Sequence, residues 1–376
     1  MDLRELQRHW DAFGRWDPHW AILNEPGKLG GRWEDDAFFL TGRVEVEAML
    51  RHVDELGVLL PGTGRALDFG CGIGRVTQAL CDRFDRVDGV DIAPSMIAKA
   101  RELNHFGDNC RYLVNERDDL TLVDPDRYDF VYSRLVLQHM QPEYAARYIT
   151  EFVRVLVPDG IALFQVPAGH HPPPPGEPKI LPDAGFRAEL VCSAVPTMAT
   201  GRPTELPVQV RNASPLDWEG DSAHPFRIGN HWRAANGEVV VYDGDRVQLP
   251  DRVEAGLKID VRLVCYPPTA PGRYTLELDV VQEGVAWFAD RGSQPLELAV
   301  DVVAGGPLEQ GEETAVGGAA PKMEMHSIPQ RKVRRLLEKY GATLVDVTPD
   351  DCTGDWQSFL YCAVKRPPRR RFLRRA

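Results

Sequence analysis

The stretch from Arg65 to Val76, RALDFGCGIGRV, constrains the fold more than any other part of the sequence. It begins with a short apolar run without helical period, which is typical of a buried parallel strand. A glycine-rich segment, Gly70 to Gly74, follows, and apolar residues then return at helical spacing. A strand, a glycine turn and a helix in this order form a unit that cradles nucleotides, because glycines let the backbone approach a ligand and the helix N-terminus offers free N–H groups.

The spacing of the glycines distinguishes between kinds of nucleotide site. The turn reads G-x-G-x-G with Asp68 two residues before it, whereas a dinucleotide site reads G-x-G-x-x-G. A second apolar segment, Arg86 to Asp91, ends about twenty residues later in a carboxylate, where a ribose diol would be bound. The alternative is that the glycines only allow close packing of strand and helix, and the later segments argue against it.

Those later segments make the sequence resemble the class I S-adenosylmethionine-dependent methyltransferases. Four motifs carry the resemblance in family order: DFGCGIG, GVDIAPSMIAKAR, YDFVYSRLVLQH and FVRVLVPDGIALFQVP. The resemblance implies an α/β fold with a doubly wound, mostly parallel, seven-stranded sheet. It also implies an enzyme whose cofactor is S-adenosylmethionine (SAM).

The pattern between Arg65 and Pro167 agrees with that fold. Apolar runs alternate with helical patterns: the runs lie near 66–69, 86–91, 111–114, 128–132 and 161–166, and the helices near 74–84, 94–104, 135–138 and 143–156. This alternation predicts a parallel sheet with right-handed crossovers. Before it, Met1 to Gly42 is rich in aromatic residues, which predicts a helical cap or a lid over the cofactor, and Val44 to Leu56 predicts an amphipathic helix.

The pattern changes after Pro167. Residues 168–178, AGHHPPPPGEP, predict a stiff linker rather than a metal site at His170 and His171. From about Phe186 to Val303, short segments of period two between turn residues predict an all-β sandwich. The pieces VQVRNASPLDW, PGRYTLELDVV and EGVAWFAD resemble immunoglobulin-like modules attached to bacterial glycan-processing enzymes.

A second linker, Gly305 to Pro321, precedes a helix and two strands. Ser327 and Gln330 predict a capping box at the start of that helix. Because the methyltransferase sheet still lacks these elements after its fifth strand, we expect the sandwich to be an insertion. The expected domains are residues 1–168 (core and cap), 169–322 (inserted sandwich with linkers) and 323–376 (completion of the core and a basic tail).

The resemblance also assigns residues to the cofactor. It implies that Asp68 engages the amino group of SAM, that the turn gives backbone room and N–H groups, and that Asp91 accepts the ribose hydroxyls, since a carboxylate is an acceptor-only group. The family pattern departs at the adenine amino group, which leaves two neighbouring candidates, Asn115 and Glu116. The residues expected at the cofactor are Asp68, Gly70, Cys71, Gly72, Asp91, Ile92, Asn115, Glu116 and Ser133.

His139, just after the fourth strand, is the candidate catalytic residue. An imidazole is suited to remove a proton from an acceptor hydroxyl, and the carboxyl edge of a doubly wound sheet is where ligands bind. The alternative is a histidine that holds a backbone carbonyl or shapes the pocket. His326, just before the last helix, is a second candidate for the acceptor side.

Charge and cysteine content exclude several classes of protein. The formal net charge of −12 argues against a general nucleic-acid binder, although the segment from Lys365 to Arg375 carries one Lys and six Arg and predicts contact with an anionic surface. The seven cysteines are scattered singly, so neither a disulfide framework nor a zinc site is expected. No signal segment is apparent, so we expect a cytoplasmic protein.

The sequence leaves the methyl acceptor open. The preferred hypothesis is a hydroxyl, of a sugar or glycan, because the predicted sandwich carries aromatic residues that stack on sugars: Trp218, Trp232, Tyr242, Trp287 and Phe288. The alternatives are O- or N-methylation of a natural product, and a protein that binds a glycan or partner on a SAM-binding scaffold. An NAD-dependent oxidoreductase is disfavoured by the glycine spacing.

Overall fold

The computed structural model describes residues 1–25, 27–62, 64–170, 179–195, 197–221, 224–242, 244–304, 321, 323–353 and 356–367. The chain divides into two compact units. The first consists of Met1–Leu23, Trp33–His170 and Lys322–Ala376, and the second of Asn24–Arg32 and His171–Pro321. Most of the first linker, the second linker and the last nine residues of the basic tail lie outside the described residues.

The first unit begins with three helices: α1 (Leu3–Trp16), α2 (Pro18–Ile22) and α3 (Asp35–Glu55). Helix α1 starts at a capping box, in which the Asp2 carboxylate accepts a hydrogen bond of 2.8 Å from the backbone N–H of Glu5. Helix α3 starts at Asp35, well before the amphipathic pattern that begins at Val44. The additional turns carry the buried Phe38, which joins the aromatic cap.

Alternating strands and helices follow. The strands are β1 (Arg65–Phe69), β2 (Arg86–Asp91), β3 (Cys110–Val114), β4 (Tyr128–Ser133) and β5 (Leu156–His170), and the helices are α4 (Arg75–Cys81), α5 (Pro94–Glu102) and α6 (Pro142–Val155). The predicted positions are confirmed in all but two places. The helix predicted near 135–138 is wrong, because this segment forms only a 3₁₀ turn, Leu137–His139, after Leu135 with a positive φ, and β5 is much longer than predicted. That strand starts at Leu156 and contains the Pro158-Asp159-Gly160 turn, at which Asp159 has a φ of +68°.

The second unit consists of strands: β6 (Ala188–Cys192), β7 (Met198–Ala199), β8 (Thr204–Asn212), β9 (Trp218–Glu219), β10 (Phe226–Ala234), β11 (Val239–Val241), β12 (Val247–Gln248), β13 (Arg252–Val253), β14 (Lys258–Cys265), β15 (Gly272–Gln282), β16 (Ala286–Trp287) and β17 (Leu296–Val303). One sheet has the order β11-β10-β15-β17-β7, with β12 beside β10 and β16 beside β15. A second sheet has the order β14-β8-β6, and β13 pairs with β9. The described helical turns of this unit are short 3₁₀ turns.

The two larger sheets of the second unit share one hydrophobic core. Three of the five aromatic residues considered for sugar binding, Trp218, Trp232 and Phe288, are fully buried in it. Tyr242 is 67% exposed, and Trp287 is half-buried beneath the guanidinium of Arg246, 4.8 Å from the ring centroid. Only Tyr242 and Trp287 therefore remain candidates for stacking on a ligand.

The segment Asn24–Arg32 belongs to the second unit, whereas the sequence placed it in the N-terminal cap. The segment belongs to the second unit because two of its residues contact the carboxylate of Glu205 on β8. Its side chain is 5% exposed and accepts a hydrogen bond of 2.9 Å from the backbone N–H of Gly27. Arg32 and Arg262 lie 3.2 and 3.4 Å from its other oxygen, so a buried charge holds the segment in place.

The chain then completes the first unit with α7 (Gln330–Lys339), β18 (Ala342–Pro349) and β19 (Trp356–Lys365). The full sheet has the order β18-β19-β5-β4-β1-β2-β3. Strands β1 to β5 are parallel to their neighbours in this group, and β19 is antiparallel to both β5 and β18. This confirms the doubly wound, mostly parallel, seven-stranded sheet that the resemblance implied.

The predicted capping box at Ser327 is wrong. Helix α7 has Pro329 at its N-cap position, without a side-chain capping hydrogen bond. The preceding segment is held in an extended path, because the backbone N–H of Ile328 donates to the Pro167 carbonyl over 2.8 Å. Ser327 therefore lies two residues before the cap position, out of register with the first turn of the helix.

Two hydrophobic clusters cover the faces of the sheet. Helices α6 and α7 contribute residues such as Phe152 and Val333 on one face, and α3 and α4 contribute Met49 and Leu80 on the other. Lys365, counted with the basic tail, is part of this fold because its Nζ donates to the Leu156 carbonyl over 2.6 Å. Within the described ranges, no helix combines the length and apolar character needed to span a bilayer.

Candidate active site

The sheet order places a topological switch point at β1. From β1 the chain proceeds outward to β2 and β3, and then returns to the other side of β1 to form β4. In open α/β sheets, ligands bind at the carboxyl ends of the strands where this reversal occurs. The segments that follow β1, β2 and β4 therefore define the candidate site.

The glycine turn after β1 is packed too closely for side chains. Gly70 and Gly72 have φ values of +77° and +52°. A Cβ atom on Gly70 would overlap the side chain of Val136, and one on Gly72 would lie 2.5 Å from Ile22. The backbone N–H of Gly70 donates to the Val90 carbonyl over 2.7 Å, which ties the turn to β2. Only glycine suits this conformation and spacing.

Asp91, at the end of β2, is held by that turn. One carboxylate oxygen accepts a hydrogen bond of 2.9 Å from the backbone N–H of Gly72, and the other accepts one of the same length from Ala93. Burial raises the pKa of Asp91, and the hydrogen bonds from Ala93 and Gly72 oppose this. Each oxygen keeps further acceptor capacity, so the group suits a ribose diol.

Asp68, the penultimate residue of β1, is 3% exposed and accepts a hydrogen bond of 2.6 Å from the Thr77 hydroxyl. Burial raises its pKa to about 7, although the Thr77 bond and the positive charge of Arg75 oppose this. A positively charged group beside the carboxylate would favour the ionised form. Asp68 is therefore suited to an ammonium, as expected for the amino group of SAM.

The two adenine candidates have different surroundings. Asn115 is buried, and its side-chain amide donates to the Asp119 carbonyl over 2.8 Å, so it orders the loop after β3. Glu116 accepts a hydrogen bond of 2.9 Å from Gln7 on α1, and Gln7 also donates to the Ile92 carbonyl over 3.2 Å. No sequence pattern pointed to Gln7, because its partners lie far away along the chain.

The aromatic cap packs directly on the residues that follow the turn and Asp91. Phe13, Ile73, Ala93 and Met96 belong to one hydrophobic cluster with several aromatic side chains of the cap. Asp11 of α1 accepts a hydrogen bond of 2.7 Å from the backbone N–H of Ser95 at the start of α5. The cap therefore covers this side of the candidate site, which is the position that the lid hypothesis requires.

The segment after β4 carries strain and an unpaired polar group. Leu135 has a φ of +61°, and its backbone N–H donates to the side chain of Gln165 over 2.9 Å. Such conformations concentrate at functional sites. The preceding Ser133 is fully buried, and its hydroxyl has no hydrogen-bond partner among the described residues. A buried hydroxyl of this kind needs a partner such as a water or a ligand, which keeps Ser133 a candidate at the cofactor.

His139 lies at the end of this segment. Its Nδ1 is 2.9 Å from the Glu324 carbonyl and must donate to it, so Nε2 is the acceptor nitrogen, 3.3 Å from the side-chain nitrogen of Gln138. The ring packs on Trp10, with centroids 5.2 Å apart. Burial lowers the pKa of His139 to about 4, against the effect of the Glu324 hydrogen bond. The imidazole is therefore neutral at physiological pH.

The second histidine candidate joins the same group. The Nε2 of His326 is 3.0 Å from the Glu324 carboxylate, and its backbone N–H donates to the Gln138 carbonyl over 2.7 Å. The segment before α7 thus brings a carboxylate and an imidazole to the carboxyl edge of β4. His139 and His326, far apart in the sequence, lie on either side of Glu324.

An ionic network that the sequence did not predict lies beside Asp68. Glu45 of α3 pairs with Arg75 at 2.8 Å and with Arg134 at 3.3 Å, and accepts a hydrogen bond of 2.7 Å from the Tyr132 hydroxyl. Arg134 also forms a bidentate pair with Asp350, at 2.9 Å for both bonds. The network joins four separate elements, so no local pattern reveals it.

Three further side chains of types that can ligate a metal, Asp118, Asp119 and His170, have structural partners. Asp118 pairs with Arg147, and Asp119 accepts a hydrogen bond of 2.7 Å from the Thr121 hydroxyl. The ring of His170 packs on Trp356 with centroids 4.0 Å apart, and His171 lies outside the described residues. In the part of the chain that the structure describes, no three ligating side chains form a metal-binding group.

Comparison with known proteins identifies the kind of domain that contains these residues. Residues 66–160 match the family model of a methyltransferase domain. N-terminal Xaa-Pro-Lys N-methyltransferase 1 of Homo sapiens is 34% identical over 107 residues, which cover 28% of this chain and 48% of that protein. Alpha N-terminal protein methyltransferase 1 of Drosophila melanogaster is 34% identical over 129 residues, covering 33% and 43%. The chain spans about half the length of the curated relatives it matches.

Among solved structures, SAM-bound CalS10, an amino pentose methyltransferase from Micromonospora echinaspora, aligns with 86% of this chain and 91% of its own. The TM-score is 0.38 and the sequence identity is 13%. The domain match coincides with the glycine turn, Asp68 and Asp91. The family match therefore shows a methyltransferase domain over residues 66–160, whose cofactor is S-adenosylmethionine.

Proposed function

We propose that this chain is a SAM-dependent methyltransferase that acts on a hydroxyl group. The observation that supports it best is the pair of carboxylates, Asp68 and Asp91, at the ends of neighbouring strands around a turn that only glycine fits. SAM presents an ammonium and a ribose diol, and each matches one of these groups. The residues present therefore fit the cofactor.

When bound, SAM supplies a methyl group on a positively charged sulfur, ready for in-line displacement. The chain contributes positioning and exclusion of water, which are the main sources of rate in such a reaction. Asp68 and Asp91 hold the two polar ends, the backbone of Gly70 to Gly72 gives close approach, and the aromatic cap covers the site. His139 lies at the acceptor side with Nε2 as its proton-accepting atom.

A hydroxyl acceptor requires removal of a proton, which is the role proposed for His139. We expect His139→Gln to lower kcat about 100-fold or more with Kd for S-adenosylhomocysteine (SAH) unchanged, and His326→Gln to have a smaller effect. Because the pKa of His139 is about 4, the rate with a hydroxyl acceptor should stay flat as the pH falls from 8 to about 5. If kcat is unchanged in His139→Gln, His139 is not the base.

An amine acceptor is the second candidate function, and a specific observation favours it. A histidine with a pKa near 4 is a weak base, and an amine needs only its own lone pair to react. The carboxylate of Glu324 lies 3.0 Å from Nε2 of His326 and already pairs with the Met1 ammonium at 2.7 Å, so it is suited to a positively charged amine. The curated relatives in the comparison are named as methyltransferases of protein N-termini.

The pH dependence separates the two acceptors. With an amine, the rate should fall as the pH drops below the pKa of the amine itself, and Glu324→Gln should raise KM. Matched acceptors that differ only in a hydroxyl or an amine provide the comparison. SAH binding, measured by calorimetry, controls for damage to the cofactor site, and a chain that does not bind SAH contradicts the whole proposal.

A sugar or glycan is the proposed source of the hydroxyl. Tyr242, 67% exposed on the second unit, with the half-buried Trp287, is the aromatic surface on which a sugar would stack. Tyr242→Ala should raise KM for long oligosaccharides more than for a monosaccharide, because it weakens tethering rather than chemistry. Tyr340→Ala, at a 49% exposed tyrosine of the first unit, is the matched control. Equal length dependence in both variants would remove the glycan hypothesis.

A further inference from the structure

A groove on the outer side of α7 is separate from the cofactor site. It has a volume of about 400 Å³ between one face of the helix and the last two strands. The residues that define this α7 groove are Arg331, Arg334, Arg335, Glu338, Val347 and Tyr361. Strands β5 and β4 lie between β19 and β1, so a ligand here would not touch the glycine turn.

The charged side chains of the α7 groove have no partners in the part of the chain that the structure describes. Arg331, Arg334 and Arg335 form no ion pair or side-chain hydrogen bond with any described residue, and neither does Glu338. Other exposed arginines of this unit, such as Arg51 and Arg83, are also unpaired among the described residues, but the three of the α7 groove lie on one face of a single helix. Together with Glu338 they give this face a net charge of two positive charges. A ligand with two negative charges would balance them.

The floor of the groove contains a buried hydroxyl. Tyr361 is fully buried, and its hydroxyl has no hydrogen-bond partner among the described residues. The ring is stacked on Phe164, with centroids 5.3 Å apart, so it cannot easily turn toward another partner. Burial raises the pKa of Tyr361, and the positive charge of Arg334 opposes this, so the hydroxyl keeps its proton and can donate. A buried donor without a hydrogen bond lowers the stability of the folded protein, and a ligand that accepts from it would remove this cost.

We propose that the α7 groove binds an organic phosphate monoester. Its dianion matches the two uncompensated charges, and planar guanidinium groups suit phosphate oxygens. The Tyr361 hydroxyl donates a hydrogen bond to the ligand, and the neighbouring Leu344 and Val347 contact its organic part. This site goes beyond methyl transfer and does not depend on the identity of the acceptor.

The test is calorimetric titration of the full chain with butyl phosphate, at about pH 8, where the monoester is a dianion. Butyl sulfate, with the same alkyl group and one charge, should bind about tenfold more weakly, and inorganic phosphate should also bind more weakly than butyl phosphate. Absence of butyl phosphate binding, or equal affinity for the sulfate, would overturn the proposal.

Two test substitutions and one control locate the binding site. Arg334→Ala should weaken the binding of butyl phosphate about tenfold. The control is Lys332→Ala, which removes an exposed cation of the same helix outside the groove and should change the affinity less than about twofold. Tyr361→Phe should weaken binding severalfold while the Tm of the free protein stays the same or rises, because an unpaired buried hydroxyl is removed. Equal effects of the two cation variants, or unchanged affinity in Tyr361→Phe, would contradict the site.

Discussion

Asp68 and Asp91 lie at the ends of neighbouring strands, and their partners differ. Asp91 accepts two backbone N–H groups, from Gly72 and Ala93, and so has a fixed orientation. Asp68 accepts one hydroxyl, from Thr77, and is more deeply buried. Burial raises the pKa of both carboxyls, but for Asp68 it brings the pKa to about 7. The two residues should therefore respond differently to substitution and to pH.

Asp91→Asn should weaken SAH binding by roughly 1–3 kcal/mol, because an amide is a poorer acceptor for a diol than a carboxylate and one ribose hydroxyl would lose its partner. Calorimetry at neutral pH measures this as a rise in Kd. Asp108→Asn, at an exposed position before β3, is the matched control and should leave Kd unchanged. Equal Kd values in the two variants would remove Asp91 from the cofactor site.

Asp68 should make both stability and cofactor binding depend on pH. Its folded-state pKa of about 7 lies above the ordinary value of 3.8, so the folded protein binds more protons than the unfolded chain between these values. The free energy of unfolding should therefore fall as the pH rises from about 4 to about 7. SAH affinity should rise over the same range up to about pH 7, because its ammonium prefers the ionised carboxylate.

Urea unfolding and calorimetry between about pH 5 and pH 8 measure the two trends of Asp68. Asp68→Asn keeps the shape of the side chain and cannot ionise, so it should flatten both curves and bind SAH weakly at every pH. Thr77→Val, which removes the hydroxyl that donates to Asp68, should move the binding curve to higher pH. Parallel pH curves for wild type and Asp68→Asn would show that another group titrates.

At the scale of elements, the turn after β4 is the strained part of the site. Leu135→Gly should be more stable than Leu135→Ala by about 1 kcal/mol, because a φ of +61° suits glycine and strains alanine. The same pair at Leu122, an exposed turn residue without a positive φ, should show the opposite order or none. Urea unfolding measures the free energy of unfolding of the four variants. The opposite order at Leu135 would mean that the turn carries no strain.

The elements that the sequence predicted well are those with an unbroken apolar pattern. Strands β1, β2 and β4 lie in the middle of the sheet, and their buried runs reveal them. Strand β10 gave a weaker signal, because Gly229-Asn230-His231 interrupts its alternation, and its place is set by pairing with β15. The capping box at Ser327 failed because a tertiary hydrogen bond decides where α7 begins. Local pattern therefore predicts interior strands better than boundaries.

The same distinction holds within the candidate site. Asp68, the glycines and Asp91 form a local motif, so spacing was enough to predict them. Glu45, Arg134 and Asp350 come from three distant parts of the chain, and only the folded sheet brings them together. Glu324, which contacts both His139 and His326, follows the entire second unit in the sequence. No spacing rule could have revealed these contacts.

At the scale of the whole molecule, the chain leaves the first unit after β5 and returns beside it. The backbone N–H of Ile328 donates to the Pro167 carbonyl over 2.8 Å, and β19 pairs with β5 as far as His170. The departing and returning segments are therefore neighbours, and a short connection can join them. The sequence predicted the insertion from the missing helix and strands, but not that Asn24–Arg32 would belong to the second unit.

Deletion of residues 172–320, with a connection of about six glycine and serine residues, should leave a first unit that folds and binds SAH. Its sheet and both covering layers come from residues outside the deletion, so its Kd for SAH should stay within about threefold of the full chain.

The control is a chain that ends at His170 and therefore lacks α7, β18 and β19. It should not fold, because β5 loses its neighbour β19, and the core loses Val333 and Tyr361. Calorimetry with SAH and urea unfolding measure both variants. Loss of SAH binding in the deletion variant, with cooperative unfolding also lost, would show that the second unit is part of one cooperative fold rather than an insertion into it.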